Sequence, residues 1–155
     1  MRQTIFVVIL VLAGVPGAHA TGKVTVLLGK GAQVYACTPA AAGYAWQLKA
    51  PDAVLTDAAG HRFGRHFAGP TWQAEDGSAV VGEVLATSQA PQSEAIPWLV
   101  LRAKAHAGDG VFADVSTIVR SATKGGIAPA GGCDPAHAGV ELRVDYSATY
   151  IFFAG

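Results

Sequence analysis
From Val140 to Phe152 every even-numbered residue is apolar: Val140, Leu142, Val144, Tyr146, Ala148, Tyr150 and Phe152. The odd positions between them begin Glu141, Arg143, Asp145, Ser147 and Thr149. A period of two is what a strand with one buried and one wet face requires. A chain that keeps this up for so long must build a sheet with an inside and an outside. At the standard rise the segment would run about 43 Å, longer than an ordinary strand, so a bend or a change of sheet is expected near Ser147.

The rest of the chain is punctuated in the same manner. Val24–Leu28 is an apolar run ending at Gly29-Lys30-Gly31, and Gln33–Thr38 follows it. Tyr44, Trp46 and Leu48 alternate with Ala45, Gln47 and Lys49. Ala53–Thr56 and His61–Ala68 flank Asp57-Ala58-Ala59-Gly60, a turn of hairpin length. Glu75-Asp76-Gly77-Ser78 is an Asp-Gly turn before Ala79–Thr87, where Gly82 suggests a bulge. After the polar loop Ser88–Ala95, Ile96–Ala105 and Val111–Thr123 read as strands. Strands at this density without helical patterns between them predict an all-β fold, an antiparallel sandwich or barrel of about 8–10 short strands. Ala is abundant and weakly disfavours strands, but burial pattern outranks propensity.

Composition excludes several function classes. Basic and acidic residues balance at 11 each, so no excess exists to grip a phosphate backbone, and nucleic acid is not an expected partner. With 51% hydrophobic and 14% charged residues the chain is too apolar for disorder. The N-terminus reads as an export signal. Arg2 precedes the apolar run Ile5–Val15, Pro16-Gly17 breaks it, and Ala18-His19-Ala20 has the small-x-small form of a cleavage site. Residues 1–20 are thus expected to be a signal peptide cleaved after Ala20, with 21–155 a single all-β domain. The alternative is an uncleaved N-terminal anchor, for which the run is short. No membrane span is expected in the mature chain, and no Cys follows the cleavage point to carry a lipid. Secretion or periplasmic residence is implied. In such a compartment two thiols usually pair, which predicts a Cys37–Cys133 disulfide rather than two buried thiols. It would anchor the Gly- and Pro-rich loop Lys124–Gly139. The chain has no Asn, so it has no N-glycosylation site.

Several segments carry a resemblance: Gly29-Lys30-Gly31-Ala32-Gln33-Val34-Tyr35-Ala36-Cys37, Tyr44-Ala45-Trp46, Pro51–Leu55, Gly64–Trp72, Asp76-Gly77-Ser78, Pro97-Trp98-Leu99, Lys124–Pro129, Cys133 and Tyr146–Phe153. Together they resemble the secreted domain-of-unknown-function family numbered 3455, over nearly all of the mature chain. That family usually shows Asn-Thr before the paired glycines, where this chain has Ala122-Thr123. The resemblance implies a secreted single domain and no particular activity.

Chemistry-bearing motifs are few. Gly29-Lys30-Gly31 lacks the third glycine and the following helix of a dinucleotide loop. No Ser sits on a G-x-S-x-G elbow. Asp109 and Asp114 offer too few oxygens at too poor a spacing for calcium. Scattered acids such as Glu75, Glu83, Glu94 and Glu141 are accounted for by solvation. The candidate ligand-binding residues are His66, Gly69, Pro70, Trp72, His106 and His137. The Gly69-Pro70 turn would display Trp72 to stack on a sugar ring and His66 to bond its hydroxyls. The commoner arrangement for such residues is that Trp72 plugs the core and His66 satisfies a backbone carbonyl. Trp98 poses the same alternative.

The reading is therefore an exported all-β domain that binds a small molecule, a glycan or an envelope component without catalysis, metal or cofactor. One alternative is a secreted hydrolase or metal-dependent enzyme using His66 and His106, with His137, which requires those imidazoles to converge in a cleft. Another is a structural surface protein with no ligand. The oligomeric state is left open.

Overall fold
A computed structural model describes residues 22–155; the expected signal peptide lies outside the described residues. Eight strands form one sheet: β1 (Lys23–Ala40), β2 (Gly43–Thr56), β3 (Arg62–Phe67), β4 (Thr71–Ala74), β5 (Ala79–Ser88), β6 (Trp98–Ala107), β7 (Val115–Gly125) and β8 (Glu141–Ala154). Each pairs antiparallel with its sequence neighbours, and β8 pairs with β1 to close an up-and-down barrel. A sandwich is thereby excluded. Among the described residues no helix is long and apolar enough to cross a membrane.

The even face of β8 points inward as the alternation requires: Tyr146, Ala148, Tyr150 and Phe152 are all buried. The bend expected near Ser147 is absent from its pairing with β1, which runs from Lys23↔Ala154 to Ala36↔Glu141 without a shift. The irregularity lies across from it, on β7, between Ser121 and Lys124. There Ala122 takes φ 47, a left-handed conformation that costs a residue with a Cβ and suits Asn or Gly.

Two expected breaks are not breaks. β1 continues through Gly29-Lys30-Gly31, and β2 continues through Pro51-Asp52. Gly31 is not a turn residue: a Cβ there would collide with the backbone of Asp52 and Ala53 on the adjacent strand. The glycine records a close approach of two strands. At Pro51 the ladder accommodates the ring beside a register shift, with Val34 opposite Ala50 and Tyr35 opposite Leu48. The Gly82 irregularity is real, a shift between Val81 and Gly82 against β6. Its cause is packing, since a Cβ on Gly82 would sit 2.9 Å from the Trp72 ring and 3.0 Å from Leu101.

Both ends of the barrel are closed, by different chemistry. The lower end holds the β2–β3, β4–β5 and β6–β7 connections. There Val111-Phe112 is not strand, as the apolar run suggested, but a plug. Phe112 is fully buried, 4.7 Å from the Phe152 ring and 5.9 Å from Phe63. Asp76 and Ser78 of the Asp-Gly turn hold the plug, accepting from Val111 N and Phe112 N. The upper end carries the β5–β6 and β7–β8 connections, residues 89–97 and 126–140, which fold over it as a strap. Ala95 bridges Gly126, Ile96 N donates to Gly125 O, and Thr123 Oγ1 donates to Ile96 O. The Cys37–Cys133 disulfide and a bond from Trp46 Nε1 to Gly131 O fasten the strap to β1 and β2.

Candidate functional site
Eight-stranded barrels have interiors just wide enough to be filled by side chains or to hold one small ligand. The lower part of this lumen is filled. Leu27, Leu55, Leu101, Ile118, Phe112 and Phe152 are all essentially inaccessible. Toward the strap the lining becomes polar. Gln33 and Tyr35 come from β1, His66 and Trp72 from β3 and β4, Arg120 from β7, and Tyr146 and Tyr150 from β8.

His66 and Trp72 face each other across the β3–β4 hairpin, whose Gly69-Pro70 bond is cis. Their rings stack at 4.4 Å with only 7° between planes. They are 2% and 1% exposed. The sugar-stacking expectation for this pair is therefore corrected: neither ring reaches solvent, because Gly82 leaves room for the indole inside the barrel. His66 Nδ1 donates to Thr71 O at 2.8 Å, the backbone-carbonyl role. Burial, with the Arg120 charge adding to it, lowers the imidazole pKa to about 3, so the ring is neutral across physiological pH. Tyr150 packs edge-on against both rings, at 5.1 Å from His66 and 5.5 Å from Trp72.

Tyr150 links this pair to the rest of the cluster. Its hydroxyl lies 3.2 Å from that of Tyr146. Tyr35 Oη donates to Gly126 O at 2.6 Å. Burial raises the pKa of all three tyrosines, which keeps them protonated. Arg120, opposite Tyr150 in the ladder, donates from Nε and Nη2 to Pro97 O at 3.0 and 2.7 Å. Gly126 has φ 90 and no room for a side chain: a Cβ would lie 2.8 Å from Ile96 Cγ2, 2.9 Å from Tyr146 Cβ and 3.3 Å from Gln33 Cγ. The strap thus presses its backbone directly onto the polar lining. On the strap's outer side an open groove of about 820 Å³ runs along Gln92, Glu94, Gly125–Pro129 and Asp145.

The other sequence candidates do not join this cluster. His106 ends β6 at the lower end, where its Nε2 bonds Val115 O at 2.7 Å. His137 is exposed in the strap, paired with Asp134 at 2.7 Å in a short 3-10 turn. His66, His106 and His137 are thus separated, each satisfied locally. Among the described residues no three His, Cys, Asp or Glu side chains gather as metal ligands would. Gly69 and Pro70 shape the hairpin at the upper end, where Pro70 O accepts from Gly82 N. Trp98 Nε1 is buried without a partner at the start of β6.

Sequence reasoning missed Arg120, Gln33, Tyr35, Tyr146 and Tyr150. A usable signal existed: Gln33 and Tyr35 share the parity of Leu27 and Gly29, and Arg120 that of Ile118, so polar groups stand at inward positions. A family model described as a protein of unknown function (DUF3455) matches residues 18–154. No curated protein and no solved structure matches the chain.

Proposed function
The chain belongs to the DUF3455 family of proteins of unknown function, and from that premise we propose that it is an exported, non-catalytic module that binds a small molecule at the strapped end of its barrel. One observation carries this reading. Gln33 Nε2 and Trp72 Nε1 are fully buried in the polar part of the lumen without a hydrogen-bond partner. Leaving a buried donor unpaired costs about 1–3 kcal/mol, and an apolar residue at either position would avoid the cost. A ligand acceptor would offset it. The signal-like residues 1–20 and the Cys37–Cys133 disulfide support export. The enzyme alternative loses its support, because the imidazoles it needed are each engaged separately, His66 with Thr71 O, His106 with Val115 O and His137 with Asp134. A glycan or envelope component remains a second reading for the outer groove, where Glu94 and Asp145 could accept from hydroxyls beside Pro91 and Pro129.

The test uses the exported protein recovered from its native compartment. Its intact mass is expected to start at Thr21 and to lie two hydrogens below the reduced chain. A thermal-shift screen of small metabolites and oligosaccharides is expected to find a class that raises Tm by about 5–10 °C at 100 Kd. No shift from any class, together with an unchanged or higher Tm in Gln33→Met, would mean that the donors serve no ligand.

A further inference from the structure
Two buried donors toward the strapped end, Gln33 Nε2 and Trp72 Nε1, have no acceptor, and a permanent cation stands near them. Arg120 reaches into the lumen, and among the described residues no Asp or Glu forms an ion pair with it. Its neighbours are Tyr35, Tyr146, Tyr150 and the neutral His66. Burial lowers its pKa, yet a guanidinium stays protonated in proteins. A charge drawn out of water is normally paired. Nε and Nη2 donate to Pro97 O and the guanidinium also bonds the Tyr150 hydroxyl, so neutral oxygens are the acceptors it has for its five N–H groups and none carries a balancing charge. Around it Gln33 Nε2 has no acceptor. Tyr146 and Tyr150 share a single hydrogen bond, so one hydroxyl proton of the pair is left over.

We propose that the strapped end of the lumen is an anion site that takes the carboxylate of a small organic acid, with the unpaired charge of Arg120 as anchor and Gln33 and the tyrosine pair as neutral donors. The proposal rests on the small-molecule reading and narrows it to a ligand class. A single cation ringed by neutral donors balances a monoanion, and a planar fork matches a planar carboxylate better than it matches a tetrahedral dianion.

The test titrates the disulfide-bonded protein with a panel of aliphatic and aromatic monocarboxylic acids, their primary amides, and inorganic phosphate, read by calorimetry. At least one acid is expected to bind at least tenfold tighter than its own amide and than phosphate. Arg120→Gln should cost that acid tenfold or more, with Arg120→Lys recovering part of it. Gln33→Met, nearly equal in volume, should weaken the acid severalfold while near-ultraviolet circular dichroism stays native. The acid–amide comparison needs no variant, so a misfolded Arg120→Gln leaves the test intact. Equal binding of acid and amide, or an affinity indifferent to Arg120, overturns the anion site and leaves the small-molecule reading standing. Binding by neutral compounds alone does the same. No binding by any compound overturns both, and assigns the buried donors to water.

Discussion

His66 makes a quantitative claim about acid stability. Its imidazole is stacked on Trp72, bonded to Thr71 O and held to a pKa of about 3, against 6.5 in the unfolded chain. The folded-state value is depressed, so the unfolded state binds a proton first as the pH falls. Stability is constant above about pH 7, falls through the window from 6.5 toward 3, and levels off below it. Between pH 7 and pH 5 the loss from this one residue is about 2 kcal/mol; over the whole window it approaches about 5 kcal/mol. The carboxylates Asp57, Asp76 and Asp134, whose pKa values are lowered by hydrogen bonds, have unfolded values near 3.8 and contribute only below the pH 7–5 interval. The assay is urea unfolding of the wild type and His66→Gln at pH 7 and at pH 5. His61, His106 and His137 are common to both proteins and cancel. The wild type is expected to lose about 2 kcal/mol more than the variant between the two pH values. Parallel losses, within about 0.5 kcal/mol, would refute the claim that a neutral imidazole is locked in the barrel.

Three further outcomes follow from the packing. Ala122→Asn, which places a left-handed-tolerant residue at φ 47, should stabilise the protein by about 0.5–1 kcal/mol in the same unfolding assay. Gly82→Ala should cost about 1–3 kcal/mol, because its Cβ meets the Trp72 ring and Leu101, and the Trp72 fluorescence environment should change with it. Replacing both cysteines by Ser should cost about 4 kcal/mol for a 96-residue separation, and should open the strap to proteolysis within residues 126–140 before the strands are cut.

How much of this could be read in the sequence depends on which physical signal each part left there. β8 was legible because its alternation is uninterrupted, and the Asp57–Gly60 and Glu75–Ser78 turns because Asp and Gly mark hairpins directly. The continuity of β1 was not, since Gly29-Lys30-Gly31 reads as a turn unless one knows which strand presses against it. The pairing of His66 with Trp72 was visible from the Gly69-Pro70 turn between them, but their burial depends on Gly82, on a different strand. Tyr146 and Tyr150 were read as apolar members of an alternating face, which they are. That their hydroxyls meet beside Arg120 is a product of closure between β7, β8 and β1, and no local pattern encodes it.

That closure also fixes an order of events. Seven of the eight strand pairings join neighbours in sequence, and one, β1 with β8, joins the two extremes of the barrel. The local pairings can form as the chain emerges, but the ring cannot shut until β8 is available. Until then β1 and β7 each present an open edge, and β1 is the longest strand among the described residues. If the chain is exported N-terminus first, as proposed above, the most adhesive surface is thus the first to arrive and the last to be covered. The interval between those two moments is when an escorting chaperone would matter most.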